Sequence, residues 1–186
     1  MSPDRSFCDI IFLVKERRYI VKKFLTLIIS IFVLFGVTGC FSEEVDNVTD
    51  KNGNVKKSFN INETAVFSDV HYTVTNVEYS NGDDWNEPAN GKQYVIVTIK
   101  IENKSNEKVS YNVYDFAMLN SQGQEDESSF STIDSDTNLS SGELVSGGSK
   151  TGTIVFEEDK NESSLKLLYY SDIFWDENHT IEFIIK

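Results

Sequence analysis

Cys40 is the residue of this chain whose neighbours define a specific chemistry. It follows Val37, Thr38 and Gly39, which are one aliphatic residue and two small ones. The small side chains leave the backbone open to a peptidase, and the Cys40 thiol is the only group nearby that can form a thioether with a diacylglyceryl lipid. This thiol is therefore a candidate site for a covalently attached lipid.

The segment before this cysteine is typical of a secretory signal. Lys22 and Lys23 supply positive charge, and residues 24–37 form an apolar run of fourteen residues. A membrane-spanning helix needs about 20 apolar residues, so this run is short for a transmembrane span. The pattern resembles the lipobox of bacterial lipoproteins, although valine stands where leucine is more usual. The resemblance implies a signal peptide over 1–39, lipidation of Cys40 and anchoring at the extracellular face of the cell membrane.

Two alternatives concern this N-terminal region. A plain signal peptide or an uncleaved anchor would place Cys40 after the apolar run by chance. In addition, twenty residues including Asp4 and Asp9 precede Val21, whereas the charged part of a signal is normally short. Because valine can be specified by a codon that also starts translation in bacteria, we predict that Val21 is the true start. The other interpretation is one long charged region that begins at Met1.

Some residues that support acyl transfer in other proteins are also present, but their spacing does not suit that chemistry. Ser105 and Lys108 provide a candidate nucleophile and base, and Lys150-Thr151-Gly152 follows later in the chain. The reaction needs the serine at the start of a helix and the lysine one turn later, so that both face one pocket. Ser105 instead lies in a polar turn between predicted strands. We therefore predict no catalytic residues and a protein that is not an enzyme.

The sequence also predicts no metal and no cofactor. The chain has 2 His, and after Cys40 it has no cysteine to complete a zinc site. Asp134 and Asp136 alternate as at the start of a calcium loop. However, Leu139 occupies the place that needs glycine, and Val145 occupies the place that needs glutamate. Asp134 and Asp136 thus remain candidates only for a looser cation site, against the interpretation of a solvated acidic loop.

Trp85 is the candidate contact for a ligand. It lies in the polar stretch 81–88 between two predicted strands, where an aromatic ring has no periodic role. Asp83, Asp84 and Asn86 flank it with groups that can bond sugar hydroxyls or a basic peptide. Loops at sandwich ends often carry recognition, and tryptophan is enriched among residues that dominate binding. The alternative is that Trp85 folds back and caps the end of the sandwich.

The elements that must hold this loop are short strands with a period of two. Alternation runs from Val70 to Val74 and changes phase at Val77, which predicts a bulge near Asn76. Residues 94–101 are apolar on both faces, so they are expected to lie centrally in a sheet. Further alternating segments lie at 109–113, 116–119, 152–156, 165–169 and 181–185. Seven or eight strands without an amphipathic helix predict an all-β, antiparallel β-sandwich.

Composition sets the predicted boundaries of the sandwich. Residues 40–60 have little periodicity and mixed charge, so they are predicted to form the lipidated N-terminus and a flexible linker. The sandwich is predicted over 61–186, with a terminal hairpin that turns across 172–178. The serine-rich stretch 124–149 is expected to be mostly loop, with an edge strand near 131–133.

A longer pattern of turn and core residues points to a family. Its members are Glu102–Ser105, Asp115–Phe116, Leu119, Gly123, Leu144–Gly148 and Gly152–Phe156. This pattern resembles a family of Gram-positive surface lipoproteins whose domain is known as domain of unknown function 4352. The resemblance implies an immunoglobulin-like sandwich, and it implies no catalytic residues. Ser146 stands at a turn where the family usually has proline.

The mature chain is strongly acidic. After Cys40 it holds 11 basic and 27 acidic residues, which leaves a formal charge of −16. Such a surface repels phosphate backbones, so nucleic acid is not an expected partner. The expected partners are the membrane, through the lipid on Cys40, and an envelope protein or glycan. We therefore expect a non-catalytic, membrane-anchored binding domain. The alternatives are an envelope hydrolase or its accessory subunit, and a cation-sensing or spacer domain.

Overall fold

Strands make up almost all of the regular structure. The protein is described by a computed structural model that covers residues 47–130, 132–133, 135–171 and 181–186. Its strands are β1 Thr49–Asp50, β2 Ser58–Asn60, β3 Thr64–Phe67, β4 Val70–Ser80, β5 Lys92–Asn103, β6 Val109–Tyr111, β7 Phe116–Asn120, β8 Glu125–Asp126, β9 Gly142–Leu144, β10 Ser149–Asp159, β11 Leu165–Tyr169 and β12 Ile181–Ile184. Within these ranges no helix has the length and apolar character that crossing a membrane requires.

The strands form two facing sheets and one separate two-stranded sheet. The first sheet has the order β1-β3-β4-β5-β10, and the second has the order β2-β12-β11-β7-β8. All neighbours are antiparallel except β12 and β2, which run parallel. Strands β6 and β9 pair separately. The predicted all-β, antiparallel sandwich is confirmed.

Apolar side chains from both sheets fill the space between them. Ile99 and Phe156 from the first sheet share one cluster with Leu167 and Phe183 from the second. Burial of each such side chain contributes about 1.5–3 kcal/mol relative to exposure. One polar bridge also crosses the core, since the Tyr72 hydroxyl donates to the Tyr169 hydroxyl over 2.8 Å. Alternation along each strand therefore decides which residues meet in the core.

Strand β5 has the central place that its sequence predicts. It pairs with β4 along one side and with β10 along the other. Its inward residues Val97 and Ile99 lie in the main core. Its outward residues Tyr94 and Ile96 are also buried, because they pack with Val155 and Ile133 on the outer face of the sheet. A second apolar layer explains why both faces of this strand are apolar in the sequence.

The predicted bulge in β4 is confirmed. The register between β4 and β5 shifts between Val74 and Asn76. After the shift, Val77 lies opposite Val97, so an apolar side chain again faces the core. The bulge thus reconciles the two phases of alternation and carries β4 on towards the Trp85 loop.

The domain begins earlier in the chain than predicted. Val48 is buried in the main core, and Thr49–Asp50 pairs with β3. Phe59 is also fully buried, opposite Phe183 in the parallel pair of β2 and β12. The prediction of a flexible linker is therefore wrong for residues 47–60, because two-residue and three-residue strands leave too few alternating positions to be recognised. Residues 40–46 lie outside the described residues.

The serine-rich stretch 124–149 reaches the edge of the first sheet at a different place from the predicted edge strand near 131–133. Thr132 and Ile133 are not in a strand. Instead Asn138 pairs with Thr153 in a parallel bridge, and Leu139 enters the core beside Gly152. A Cβ on Gly152 would lie 2.7 Å from the Leu139 Cα. Glycine is therefore required for the two backbone segments to approach this closely.

The C-terminal strands pair as the predicted hairpin requires. Strand β11 pairs with β12 in antiparallel register, from Lys166 opposite Ile184 to Tyr169 opposite Ile181. The predicted turn at 172–178 lies outside the described residues.

Candidate binding site at the Trp85 loop

The Trp85 loop connects β4 to β5, and its shape is fixed by one carboxylate. Asp83 Oδ1 accepts hydrogen bonds from the backbone N–H groups of Trp85 and Asn86, each over 2.8 Å. The same oxygen accepts from Asn86 Nδ2 over 3.0 Å. These bonds hold the pKa of Asp83 below its ordinary value, and the bond from the Trp85 N–H has the largest effect. A short acidic side chain thus closes the turn that carries the indole.

Glycine is required where this loop leaves β4. Gly82 has a φ of +92°, a conformation that L side chains rarely adopt. A Cβ there would also lie 2.0 Å from the carbonyl oxygen of Asn86. The backbone therefore folds closely on itself before Trp85, which holds the tip of the loop in place.

The Trp85 side chain points into solvent. It is 91% exposed, so it does not cap the core and that alternative is wrong. The structure brings all four predicted site residues, Asp83, Asp84, Trp85 and Asn86, into one turn. Asp84 is exposed beside the indole, whereas Asp83 is occupied in the turn itself. The arrangement offers a flat apolar ring on a turn that also carries the exposed carboxylate of Asp84, whereas the Asn86 amide is bonded to Asp83 and Thr132.

A second aromatic residue, Phe130, lies on a segment that is bonded to the Trp85 loop, although it was not among the predicted site residues. Asn86 Oδ1 accepts from the backbone N–H and from Oγ1 of Thr132, both over 2.9 Å. This contact joins the Trp85 loop to the segment after β8. Phe130 lies two residues before Thr132 and is 96% exposed. The sequence could have indicated Phe130 as a candidate, because it is a lone aromatic residue in a polar, serine-rich stretch, as Trp85 is in its own loop.

The structure describes Asp136, one of the two residues considered for cation binding. Asp136 lines a depression of about 450 Å³ on the outer face of the first sheet, with Glu78 and Lys150 also in its wall. Asp134 lies outside the described residues. Throughout the part of the chain that the structure describes, no three His, Cys, Asp or Glu side chains are grouped so that they could hold a metal ion.

Ser105 and Lys108 make separate interactions. The Ser105 hydroxyl donates to Asn103 Oδ1 over 2.7 Å in the turn after β5. Lys108 Nζ donates to Glu143 over 2.9 Å, and this bond raises the pKa of the lysine above its ordinary value. A lysine held in its charged form cannot take a proton from a serine. The geometry therefore gives this pair structural roles in the turn and between β6 and β9.

A second depression lies near the opposite end of β4. It has a volume of about 300 Å³, and Val70, Asp115 and Tyr169 lie in its wall. Burial raises the pKa of the Asp115 carboxyl above its ordinary value. Because Val70 starts β4 and Ser80 ends it, this depression is separated from the Trp85 loop by the length of the strand.

Solved structures from two Bacillus species are similar to this chain. The yjhA protein of Bacillus subtilis is 22% identical to this chain, and the match covers 69% of this chain and 98% of that protein with a TM-score of 0.51. A candidate lipoprotein of Bacillus subtilis, ycdA, is 15% identical over 63% of this chain and 36% of its own, with a TM-score of 0.49. A conserved hypothetical protein from Bacillus anthracis is 14% identical over 69% and 95%, with a TM-score of 0.48. At this level of identity the yjhA match supports the fold.

The family assignment rests on a match to the sandwich itself. No curated protein matches the chain. Residues 59–180 match the family model described as a domain of unknown function, DUF4352. That range starts in β2 and spans most of both sheets. The chain is therefore a member of the DUF4352 family.

Proposed function

We propose that the protein is a membrane-anchored, extracellular binding domain that contacts an envelope protein or glycan through the Trp85 loop. The observation that supports this most is an indole that is 91% exposed on a turn held by Asp83. A tryptophan has few rotatable bonds, so it gives a large contact area for a small loss of conformational entropy. Because the ring is 91% exposed, it adds little to the core, which supports a role in recognition.

The anchor in this proposal is the lipid on Cys40. The segment that precedes it has the charge, apolar run and small residues of a lipoprotein signal. Val48 is already part of the core, so only residues 41–46 separate Cys40 from the described domain. A chain of this length reaches at most about 25 Å from Cys40 to Asn47. The domain would therefore work close to the membrane surface.

We expect Cys40→Ala to abolish lipidation, because no other nearby side chain can form the thioether. The measurement is incorporation of a labelled fatty acid into the full-length protein expressed in a Gram-positive host. Cys8→Ala is the matched control, since it removes the other of the 2 Cys and should leave labelling unchanged. Undiminished labelling of the Cys40→Ala protein would refute the anchor.

We expect Trp85→Ala to leave folding nearly intact and to remove most capture of envelope partners. Truncation of a central aromatic contact costs about 2 kcal/mol or more, which corresponds to roughly 30-fold weaker binding. The measurement is a pull-down from envelope extract with the full-length protein in mild detergent, together with a thermal melt.

Tyr114→Ala is the control for this experiment, because Tyr114 is another exposed ring, 63% exposed, on the turn before β7. It should retain capture. If Trp85→Ala captures the same partners as the unchanged protein, the recognition site lies elsewhere on the domain.

A further inference from the structure

Two loops that hydrogen bonds join each present an exposed aromatic ring. Trp85 and Phe130 are 91% and 96% exposed, and they are the two most exposed large apolar side chains among the described residues. Single exposed apolar residues are common on protein surfaces and need no explanation. Trp85 and Phe130, however, lie on two loops that hydrogen bonds from Thr132 to Asn86 join.

The hydrogen bonds on either side of Phe130 hold this pair together. On one side, the Ser129 N–H donates to the carbonyl of Val155 in β10 over 2.7 Å. On the other side, Thr132 donates twice to Asn86, the residue next to Trp85. The chain geometry of these links keeps the Cα atoms of Trp85 and Phe130 within roughly 18 Å of each other. An extended peptide of about six residues covers that span.

The two stretches that carry the rings have acidic residues and no basic ones. Residues 81–91 contain three acidic residues, residues 124–136 contain five, and neither stretch contains lysine or arginine. Asp84, Glu87 and Glu127 are exposed on these loops. A polyanion would be repelled here. An uncharged glycan can donate hydrogen bonds to the carboxylates, but it gains nothing from their negative charge. A basic segment would gain from both features, because arginine and lysine pair with carboxylates and also stack on aromatic rings.

We infer that Trp85 and Phe130 together form a docking surface for a basic, partly apolar polypeptide segment. This inference rests on the proposed function, in which Trp85 is a contact, and it adds Phe130 as the second anchor and a cationic peptide as the partner class. Cationic side chains of the segment contact the exposed carboxylates and the ring faces, while its apolar side chains cover the rings. Binding of this kind weakens as salt screens the charges.

The test uses full-length protein in an uncharged detergent and three fluorescent probes. The probes are a decapeptide that alternates arginine and leucine, its counterpart with glutamate in place of arginine, and a neutral chito-oligosaccharide. Anisotropy gives the Kd of each probe at 50 and 300 mM sodium chloride. We expect the arginine peptide to bind, the other two probes to bind at least tenfold more weakly, and the higher salt to raise the Kd severalfold.

Ring substitutions separate this surface from non-specific attraction to an acidic protein. Trp85→Ala and Phe130→Ala should each raise the Kd of the arginine peptide about tenfold or more, whereas Tyr114→Ala should leave it unchanged. Equal binding by all variants would mean that the peptide binds only through the net negative charge of the protein, and this result would overturn the inference. Failure of the arginine peptide to bind at 50 mM salt would overturn it as well.

The outcomes also distinguish this inference from the proposed function. If the chito-oligosaccharide binds and Trp85→Ala abolishes that binding, the Trp85 site stands and the basic partner class is wrong. If Trp85→Ala weakens the arginine peptide and Phe130→Ala does not, the site stands and the two-ring surface is wrong. If neither ring substitution changes the binding of any probe or the capture of envelope partners, both proposals fail.

Discussion

Val97→Asp is expected to unfold the domain. Val97 is fully buried in the middle of β5, opposite Val77 on one side and Ile154 on the other. A carboxylate at this position would have no partner in an apolar core, which costs several kcal/mol. Domains of this size are stable by about 5–15 kcal/mol, so the substitution removes a large part of the free energy of unfolding. Circular dichroism during heating and urea titration measures the loss.

Thr98→Asp is the matched control for this substitution. Thr98 is the next residue of the same strand, and it lies on the outer face opposite Thr153, where it is partly exposed. The same charge placed there can remain hydrated, so the expected change in the free energy of unfolding is about 1 kcal/mol or less. A Val97→Asp protein that melts like the unchanged protein would mean that the strand faces are assigned wrongly.

Period-two alternation was enough to predict the sandwich, because long strands repeat the pattern several times. Strand β5 alternates over many positions, and even the bulge in β4 was visible as a change of phase at Val77. The first two strands are 2 and 3 residues long, so each shows too few positions to reveal a period. Val48 and Phe59 therefore looked like isolated apolar residues in a polar segment, although both are buried.

The edge at Leu139 was hidden for a different reason. Its place in the core depends on space that Gly152 leaves in another strand. No pattern within 124–149 carries that information, because the two residues meet only in the folded sheet. Sequence periodicity describes each strand by itself, whereas the close approach of Leu139 to Gly152 depends on two segments that are distant in the chain.

The candidate site was predicted in part for the same reasons. Trp85 was recognisable because an aromatic ring in a polar loop breaks the local pattern. Phe130 carries the same signal, but its relation to Trp85 depends on the hydrogen bonds between Asn86 and Thr132, which are 46 residues apart. The sequence therefore indicates exposed aromatic candidates, and the fold decides which of them share a surface.

Glu158 is expected to make the domain less stable as the pH rises towards neutrality. It follows Ile154 and Phe156 in the alternation of β10, so it faces inward, and it is only 2% exposed. Among the described residues its Oε1 atom has no hydrogen-bond partner. Burial first, and then the negative charges of Asp126 and Glu162, raise the pKa of Glu158 to about 7, although Lys92 opposes this rise. The folded state therefore favours the protonated carboxyl.

The direction of the pH effect follows from proton binding. In the unfolded chain the Glu158 carboxyl has its ordinary pKa of 4.5, whereas in the folded domain its pKa is about 7. Between these two values the folded state binds more protons than the unfolded state, so the free energy of unfolding falls as the pH rises and then levels off above 7. Each pKa unit corresponds to about 1.4 kcal/mol, so the total loss amounts to a few kcal/mol.

Glu158→Gln should remove this loss, because the amide is uncharged at every pH and has nearly the same shape. Urea unfolding at pH 5, 6, 7 and 8 measures the effect. The variant should be more stable than the unchanged protein at pH 8 and should lose less stability between pH 5 and pH 8. Glu157→Gln is the matched control, since Glu157 is the preceding residue and faces the other side of β10. The Glu157→Gln protein should lose as much stability between pH 5 and pH 8 as the unchanged protein. If the Glu158→Gln protein shows that same loss, another group is responsible for the pH dependence.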